Sequence, residues 1–191
     1  RIIERFDVSS VYMPMLPEDK APTTVAYEKL LDAAMKKGIT INRLHEDASI
    51  ESPPGSQMQV MSPRVDADWD DINNYSAVIR LVYGEVSFLF TGDAEEESEE
   101  IILDDGYMLR SDVLKCGHHG SSTSTSDDFL SAVDPIYAVI SCETGNRYGH
   151  PHRETIEKLR EQEVVLYRTD KDGTVLAESY GTRIEFTKGL P

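Results

Sequence analysis

VSFLFTGDA, residues 86–94, and SDVLKCGHHGSS, residues 111–122, decide how this chain is read. Each opens as an apolar run of strand length and breaks off in a glycine followed by polar side chains, Asp93 after Gly92 and His118-His119 after Gly117. Ala94–Asp104 between them has helical spacing, so the unit reads strand, helix, strand. Parallel strands in an open α/β sheet deliver functional side chains at their carboxyl ends, which places Asp93, His118 and His119 together. A carboxylate beside imidazoles suits a borderline divalent metal such as zinc or manganese. Adjacent histidines followed by glycine and hydroxyls are hard to explain as packing, because successive side chains point different ways. An Asp just past a strand and before a helix is also the usual place of an N-cap, and that simpler reading competes for Asp93.

The 191 residues fit one domain, 1–191, with enough chain for a real core. Hydrophobic residues make up 39%, and no apolar run approaches the roughly 18 residues of a membrane span. Net charge is −16, from 35 acidic against 19 basic residues. Most of that charge reads as a solvated surface, and it provides little counterion-release affinity for nucleic acid. A nucleic-acid substrate would need bound metal or a local basic strip to offset it. Cys116 and Cys142 make no disulfide framework; each sits near the end of an apolar strand and reads as a reduced thiol.

Along the chain, a helix end passes into a strand at Val8–Met13, closed by Pro14 and Pro17. Thr23 or Thr24 caps a helix to Lys37, with Tyr27, Leu30, Leu31, Ala34 and Met35 on one face. Residues 39–44 and 57–61 are strand candidates, and 63–74 reads as an acidic loop. Residues 76–82 and 85–91 form a hairpin around Tyr83-Gly84. Glu95, Glu96 and Glu97 lie in the first turn of the next helix, where capping alone accounts for acid. Ser126 caps a helix to Val133, and YAVIS (137–141) is another strand, ending in CETGNRYGHPH. Pro151 suits the first position of a helix to about Gln162. Strand candidates at 164–169 and 174–179 flank DKDG, a turn sequence, and 183–187 adds a last strand. The sum is α/β with a mixed sheet. His150 could bind substrate, bind metal or cap the helix, while His45 and His152 have no partner pattern and read as filler.

Residues 73–100, 111–130, 134–151 and YRTDKDG (167–173) together resemble the metallo-β-lactamase-fold domain of the ComEC/Rec2 competence proteins and their stand-alone relatives. The GD after one strand, the GHHGS after the next and the N-x-YGHP are specific in combination. The resemblance implies an αββα sandwich with mixed sheets and a two-metal centre of zinc or manganese at the edge where the sheets meet. It implies that Asp93 is the bridging carboxylate and that His118, with His119 as the alternative, is a late ligand. Asn73 and Asn74 fall where many members of the wider superfamily carry another ligand. Asn73, Asn74, Ser121, Ser122, Asn146 and His150 would line the substrate side, and His150 would also serve catalysis by steadying the phosphate or protonating the leaving group.

The family's first metal motif, H-x-[HD]-x-D-H, is absent from the 191 residues. Relatives carry it just upstream of a segment like RIIERFDVSSVYMP, so the resemblance implies a partial domain that lacks the motif and the N-terminal strands. Weak metal binding, little hydrolysis and an incomplete sheet edge open to homo-oligomer pairing are then expected. The implied activity of the parent is metal-dependent hydrolysis of phosphodiester bonds, with DNA taken up in competence as the implied substrate. A membrane channel domain and an extracellular or membrane-tethered location follow from the same resemblance. The alternatives are a non-catalytic binding or assembly module with a degenerate metal site, and a β-lactam or thioester hydrolase, because the fold hosts many chemistries.

Overall fold

The computed structural model describes residues 2–190. In chain order the elements are α1 (Ile2–Arg5), β1 (Ser10–Pro14), α2 (Val25–Lys36), β2 (Thr40–Leu44), β3 (Ser56–Ser62), β4 (Val78–Tyr83), β5 (Val86–Phe90), α3 (Glu96–Asp104), β6 (Val113–Lys115), α4 (Asp127–Val133), β7 (Tyr137–Ile140), α5 (Arg153–Glu161), β8 (Val165–Arg168), α6 (Thr169–Asp172), β9 (Thr174–Ser179) and β10 (Ile184–Leu190). Six strands form one mixed sheet in the order β3-β4-β5-β6-β7-β8. The β3, β4 and β5 pairings are antiparallel, whereas β5 through β8 run parallel. This is the mixed α/β architecture expected from the alternation of short apolar strands with amphipathic helices.

Strand alternation divides the core between the two faces of the sheet. Leu89, Leu114, Ala138 and Ile140 join one cluster with Ile102 of α3, Phe129 and Leu130 of α4, and Leu159 of α5. Their sequence neighbours Val86, Phe88 and Val113 belong to the opposite cluster, against which Tyr137, Val139, Ala177, Ile184 and Phe186 pack. The antiparallel β9–β10 pair covers that second face, and the Phe186 ring lies 4.8 Å from Tyr137 and 4.3 Å from Tyr167. The cover is incomplete: an open groove of about 400 Å³ runs between Leu81, Tyr83, Phe88, Phe90 and Ala177. Separately, β1 and β2 pair in parallel, with α2 as their crossover.

Several local expectations hold. Thr24 accepts from the Tyr27 amide to cap α2, and Ser126 accepts from the Phe129 amide to cap α4. Others need correction. Met35, placed on the buried face of α2, is 74% exposed, and Ala34 is that helix's buried residue. The acidic 63–74 loop closes in a 3₁₀ turn, Ile72–Tyr75, whose Asp71 side chain accepts from the Asn73 amide. DKDG lies in and just after one helical turn, and the strands on either side of it sit in different sheets. Pro151 is not the first residue of α5. It is buried over Gly120, where an added Cβ would come within 2.6 Å of its own Cβ, and His152 takes the cap position instead. Packing has outweighed the helix-start preference of proline.

The loop after GHHG is held by a buried carboxylate. Glu99 of α3 is 1% exposed and accepts from the Thr125 amide at 2.6 Å and the Ser126 amide at 2.8 Å. Lys158 of α5 donates to the Thr125 carbonyl from the other side. Burial pushes the Glu99 carboxyl above its ordinary value, against the pull of the two amides and Lys158.

Two predictions follow from this packing. Leu114→Ala, emptying the fully buried centre of the sheet, should cost about 3 kcal/mol in urea unfolding, and a loss below about 0.5 kcal/mol would disprove the layer assignment. For Glu99 the folded carboxyl titrates above the unfolded one, at about 4.3. Its contribution to stability is therefore full below that value and declines as pH rises through the folded one. The melting-temperature advantage of the wild type over Glu99→Gln should accordingly shrink between acid and neutral pH. Parallel curves for the two proteins would contradict the burial effect.

Candidate metal and substrate site

Two chain reversals meet at the carboxyl end of the parallel strands. Phe90 of β5 and Lys115 of β6 are register partners, and the pairing continues past the strand ends. The His118 amide donates to the Gly92 carbonyl at 3.1 Å, and the Thr91 hydroxyl donates to the Lys115 carbonyl at 2.8 Å. Gly117 makes this approach possible, since a Cβ there would stand 2.9 Å from the Ala94 carbonyl oxygen. Both histidines sit in the left-handed region, His118 at φ 43° and His119 at φ 57°. Such backbone costs about 1–3 kcal/mol per residue and is concentrated at functional sites.

This turn aims the rings at the acid. His119 Nε2 lies 3.7 Å from Asp93 Oδ1. That is within the roughly 4 Å that can separate two donors each about 2 Å from one ion. His119 Nδ1 is 2.6 Å from the Ser141 carbonyl oxygen, which can only accept; the proton therefore belongs on Nδ1 and the lone pair on Nε2, facing Asp93. His118 has its Nδ1 2.8 Å from Glu95 Oε1, and Glu95 also accepts from the Thr123 hydroxyl at 2.7 Å. A histidine oriented by a carboxylate through one nitrogen offers the other as a ligand. Asp93 does not cap α3: Glu95 occupies the cap position, and the Asp93 amide donates to Ser76 Oγ.

His150 completes a histidine cluster. Its ring centroid is 5.3 Å from that of His118, 6.3 Å from His119 and 4.8 Å from His152. Burial first, and then the neighbouring His152, His118 and His119, push His150 below its ordinary value, opposed by Asp93. A neutral ring at neutral pH follows. Lys115 extends along the sheet face and donates to the Cys116 carbonyl at 2.9 Å; burial lowers its pKa, with Asp93 among the charges acting against that shift.

The remaining positions fall into two groups. Ser122 stands at the cluster, its amide and hydroxyl both 3.0 Å from His152 Nδ1. Ser121 is buried and bonded to Thr123. Asn146 spends its amide on its own loop, accepting from the Tyr148 and His150 amides and donating to the Glu143 and His150 carbonyls. Asn74 is buried beneath α3, where it accepts from the Glu95 and Ser98 amides and donates to Glu97. Asn73, half-buried beside it, is fixed through its backbone by Asp71.

Three participants escaped the sequence reading: Glu95, His152 and the Ser141 carbonyl. The HPH spacing around Pro151 was the available signal for His152; Glu95 had none, because its first-turn position is explained by helix electrostatics alone. His45 is elsewhere, with Nδ1 on the Glu46 carbonyl.

In kind these donors suit a borderline divalent cation, with two imidazoles oriented through Nδ1 and one carboxylate facing an Nε2. In number they fall short: among the described residues no three of them stand close enough to hold an ion together.

Comparison with known proteins agrees with this architecture. Residues 71–144 match the model of the metallo-beta-lactamase superfamily, a span that contains Asp93 and both adjacent histidines. The chain is 35% identical over 148 residues to ComE operon protein 3 of Bacillus subtilis, covering 78% of this chain and 19% of that protein. It is 39% identical over 122 residues to Competence protein ComA of Neisseria gonorrhoeae, 63% of this chain and 18% of the other. Recombination protein 2 of Haemophilus influenzae is 37% identical over 131 residues, 69% and 16% of the two chains. The chain thus spans less than a fifth of the length of these curated relatives. The fold, the family model and these relatives point the same way: residues 71–144 resemble the metallo-β-lactamase superfamily, and the chain is similar to one part of these competence and recombination proteins.

Proposed function

We propose that this chain is part of the hydrolytic domain of a competence-type protein that cleaves phosphodiester bonds of DNA with a divalent metal, zinc or manganese, and that the donors present support little turnover by themselves. The observation that carries the reading is the orientation of His119: Ser141 holds its Nδ1, and its Nε2 faces Asp93 at 3.7 Å. Asp93 and His119 would hold the cation, with His118 turned toward the same space by Glu95. The cation would supply Lewis acidity toward a phosphoryl oxygen. His119 rather than His118 is the imidazole paired with Asp93 in this reading. His150, with its pKa lowered, serves better as a neutral hydrogen-bond donor to the phosphate than as an acid for the leaving group. Ser122 lies on the substrate side. Ser121, Asn146, Asn73 and Asn74 act at one remove, shaping the loops and the α3 terminus that carry the donors. The names of two relatives, one a competence protein and one a recombination protein, support DNA as the substrate.

A second reading, a binding or assembly module with a degenerate metal site, is favoured by one observation: no three donors converge among the described residues.

Calorimetric titration of the 191-residue chain with manganese or zinc should give weak binding. Asp93→Ala and His119→Ala should abolish it, Glu95→Gln should weaken it about tenfold, and His45→Ala should leave it unchanged. Wild-type affinity in both Asp93→Ala and His119→Ala would end the metal assignment. Bis(p-nitrophenyl) phosphate separates the two readings: slow turnover that stops on chelation and is lost in Asp93→Ala belongs to the hydrolase, and metal binding with no chelator-sensitive turnover at all belongs to the module.

A further inference from the structure

We propose that Tyr148, flanked by Arg147, is a stacking platform for an unpaired nucleobase beside the scissile phosphodiester, so that the substrate is a single strand or frayed end and not an intact duplex. The inference rests on the phosphodiester reading above and adds to it the form of the nucleic acid.

The arm that carries Tyr148 is built to stand clear of the domain. Gly145 and Gly149 bracket it at φ 68° and 76°, and a Cβ on either would meet nothing within 4 Å. Its base is fixed by Asn146, whose side chain accepts from the Tyr148 and His150 amides. His152 adds a contact to the Tyr148 carbonyl at 3.3 Å. The arm is therefore anchored at its root while its ring faces solvent.

That ring is aligned with the site. The Tyr148 and His150 planes are within 21° of each other at 5.7 Å, and the His150 and His119 planes within 22° at 6.3 Å. His150 thus stands between Tyr148 and His119, each pair tilted by no more than 22°, on the way to the nitrogen that faces Asp93. The Arg147 guanidinium lies over the Tyr148 ring, its carbon 4.7 Å from the ring centre, and donates to the Tyr148 hydroxyl; the tyrosine remains 61% exposed even so. A tyrosine layered with a guanidinium offers a planar cationic surface on which a base can stack and beside which a phosphate can sit without sequence being read.

Charge decides which form of nucleic acid can use this device. The other side of the mouth is a cleft lined by Asp70, Asp71, Glu95, Glu96 and Glu97, and the chain as a whole carries −16. A duplex keeps its bases stacked internally and presents phosphates to a surface that repels them. An unpaired base offers a π-face, so stacking on Tyr148 can supply the affinity that counterion release does not.

Fluorescence anisotropy with labelled, cleavage-resistant phosphorothioate strands, with and without manganese, tests this on the full chain. The probes are a single strand, its blunt duplex and the same strand with abasic sites. The single strand should bind about tenfold more tightly than the abasic strand or the duplex. Tyr148→Ala should erase that preference, Tyr148→Phe should keep it, and Arg147→Ala should weaken all three probes. Equal binding of single and abasic strands by the wild type, a preference that survives Tyr148→Ala, or no binding of any strand would overturn the proposal. Failure of the platform alone would leave bis(p-nitrophenyl) phosphate turnover intact with no base dependence. Failure of the phosphodiester reading would leave no chelator-sensitive turnover of that ester, not even a slow one, while base-dependent binding persisted.

Discussion

The backbone bond from the His118 amide to the Gly92 carbonyl is the constraint on which the candidate site depends. It extends the parallel β5–β6 pairing past the ends of both strands and fixes two loops against each other. Without it, Asp93 and His119 would stand on separate mobile turns, and a carboxylate and an imidazole would have no reason to share an ion. The bond is possible because Gly117 has no Cβ to strike the Ala94 carbonyl. It is maintained although His118 and His119 both occupy left-handed backbone. The surrounding structure therefore has to over-determine the turn, and Glu99 does so from below by holding the next loop through two amides.

Orientation is the second layer of the same design. Position alone leaves an imidazole free to choose a tautomer, and only one of the two can donate a lone pair toward Asp93. The Ser141 carbonyl makes that choice for His119, and Glu95 orients His118. These two groups come from different elements: the end of β7 and the cap position of α3. The site is thus assembled from the ends of three neighbouring strands, β5, β6 and β7, and the cap of α3, with no single motif containing it.

That assembly explains what could be read from residues and what could not. The strands β5, β6 and β7 were legible because alternation sends Val113 and Leu114 to opposite cores, and the caps at Thr24 and Ser126 because each acts on its own helix. Asp93, His118 and His119 were legible as neighbours because strand ends in a parallel sheet converge. The preference for His118 over His119 came from the resemblance and had no basis in the residues themselves, since which ring faces Asp93 depends on left-handed φ angles and on a backbone carbonyl 22 residues away. Glu95 was hidden by a sufficient local explanation, and Pro151 by a helix-start preference that loses to burial over Gly120. Local rules failed where a distant partner had the larger claim.

The acidic surface constrains how such a site can be used. At −16, long-range attraction cannot gather a polyanion, and Asp70, Asp71 and the α3 glutamates oppose it at the mouth itself. Two local features would work against this field: Arg147 on its arm and, in the proposed reading, a cation held at Asp93 and His119. Both act at contact distance, where screening matters least. Affinity must then come from short-range terms, stacking and direct coordination, and these distinguish an exposed base from a buried one and a correctly placed phosphate from a distant one. Under the proposed reading, a surface that repels a polyanion at long range and holds it only at contact would reject most nucleic acid it meets, which suits a hydrolytic site better than strong indiscriminate attraction would.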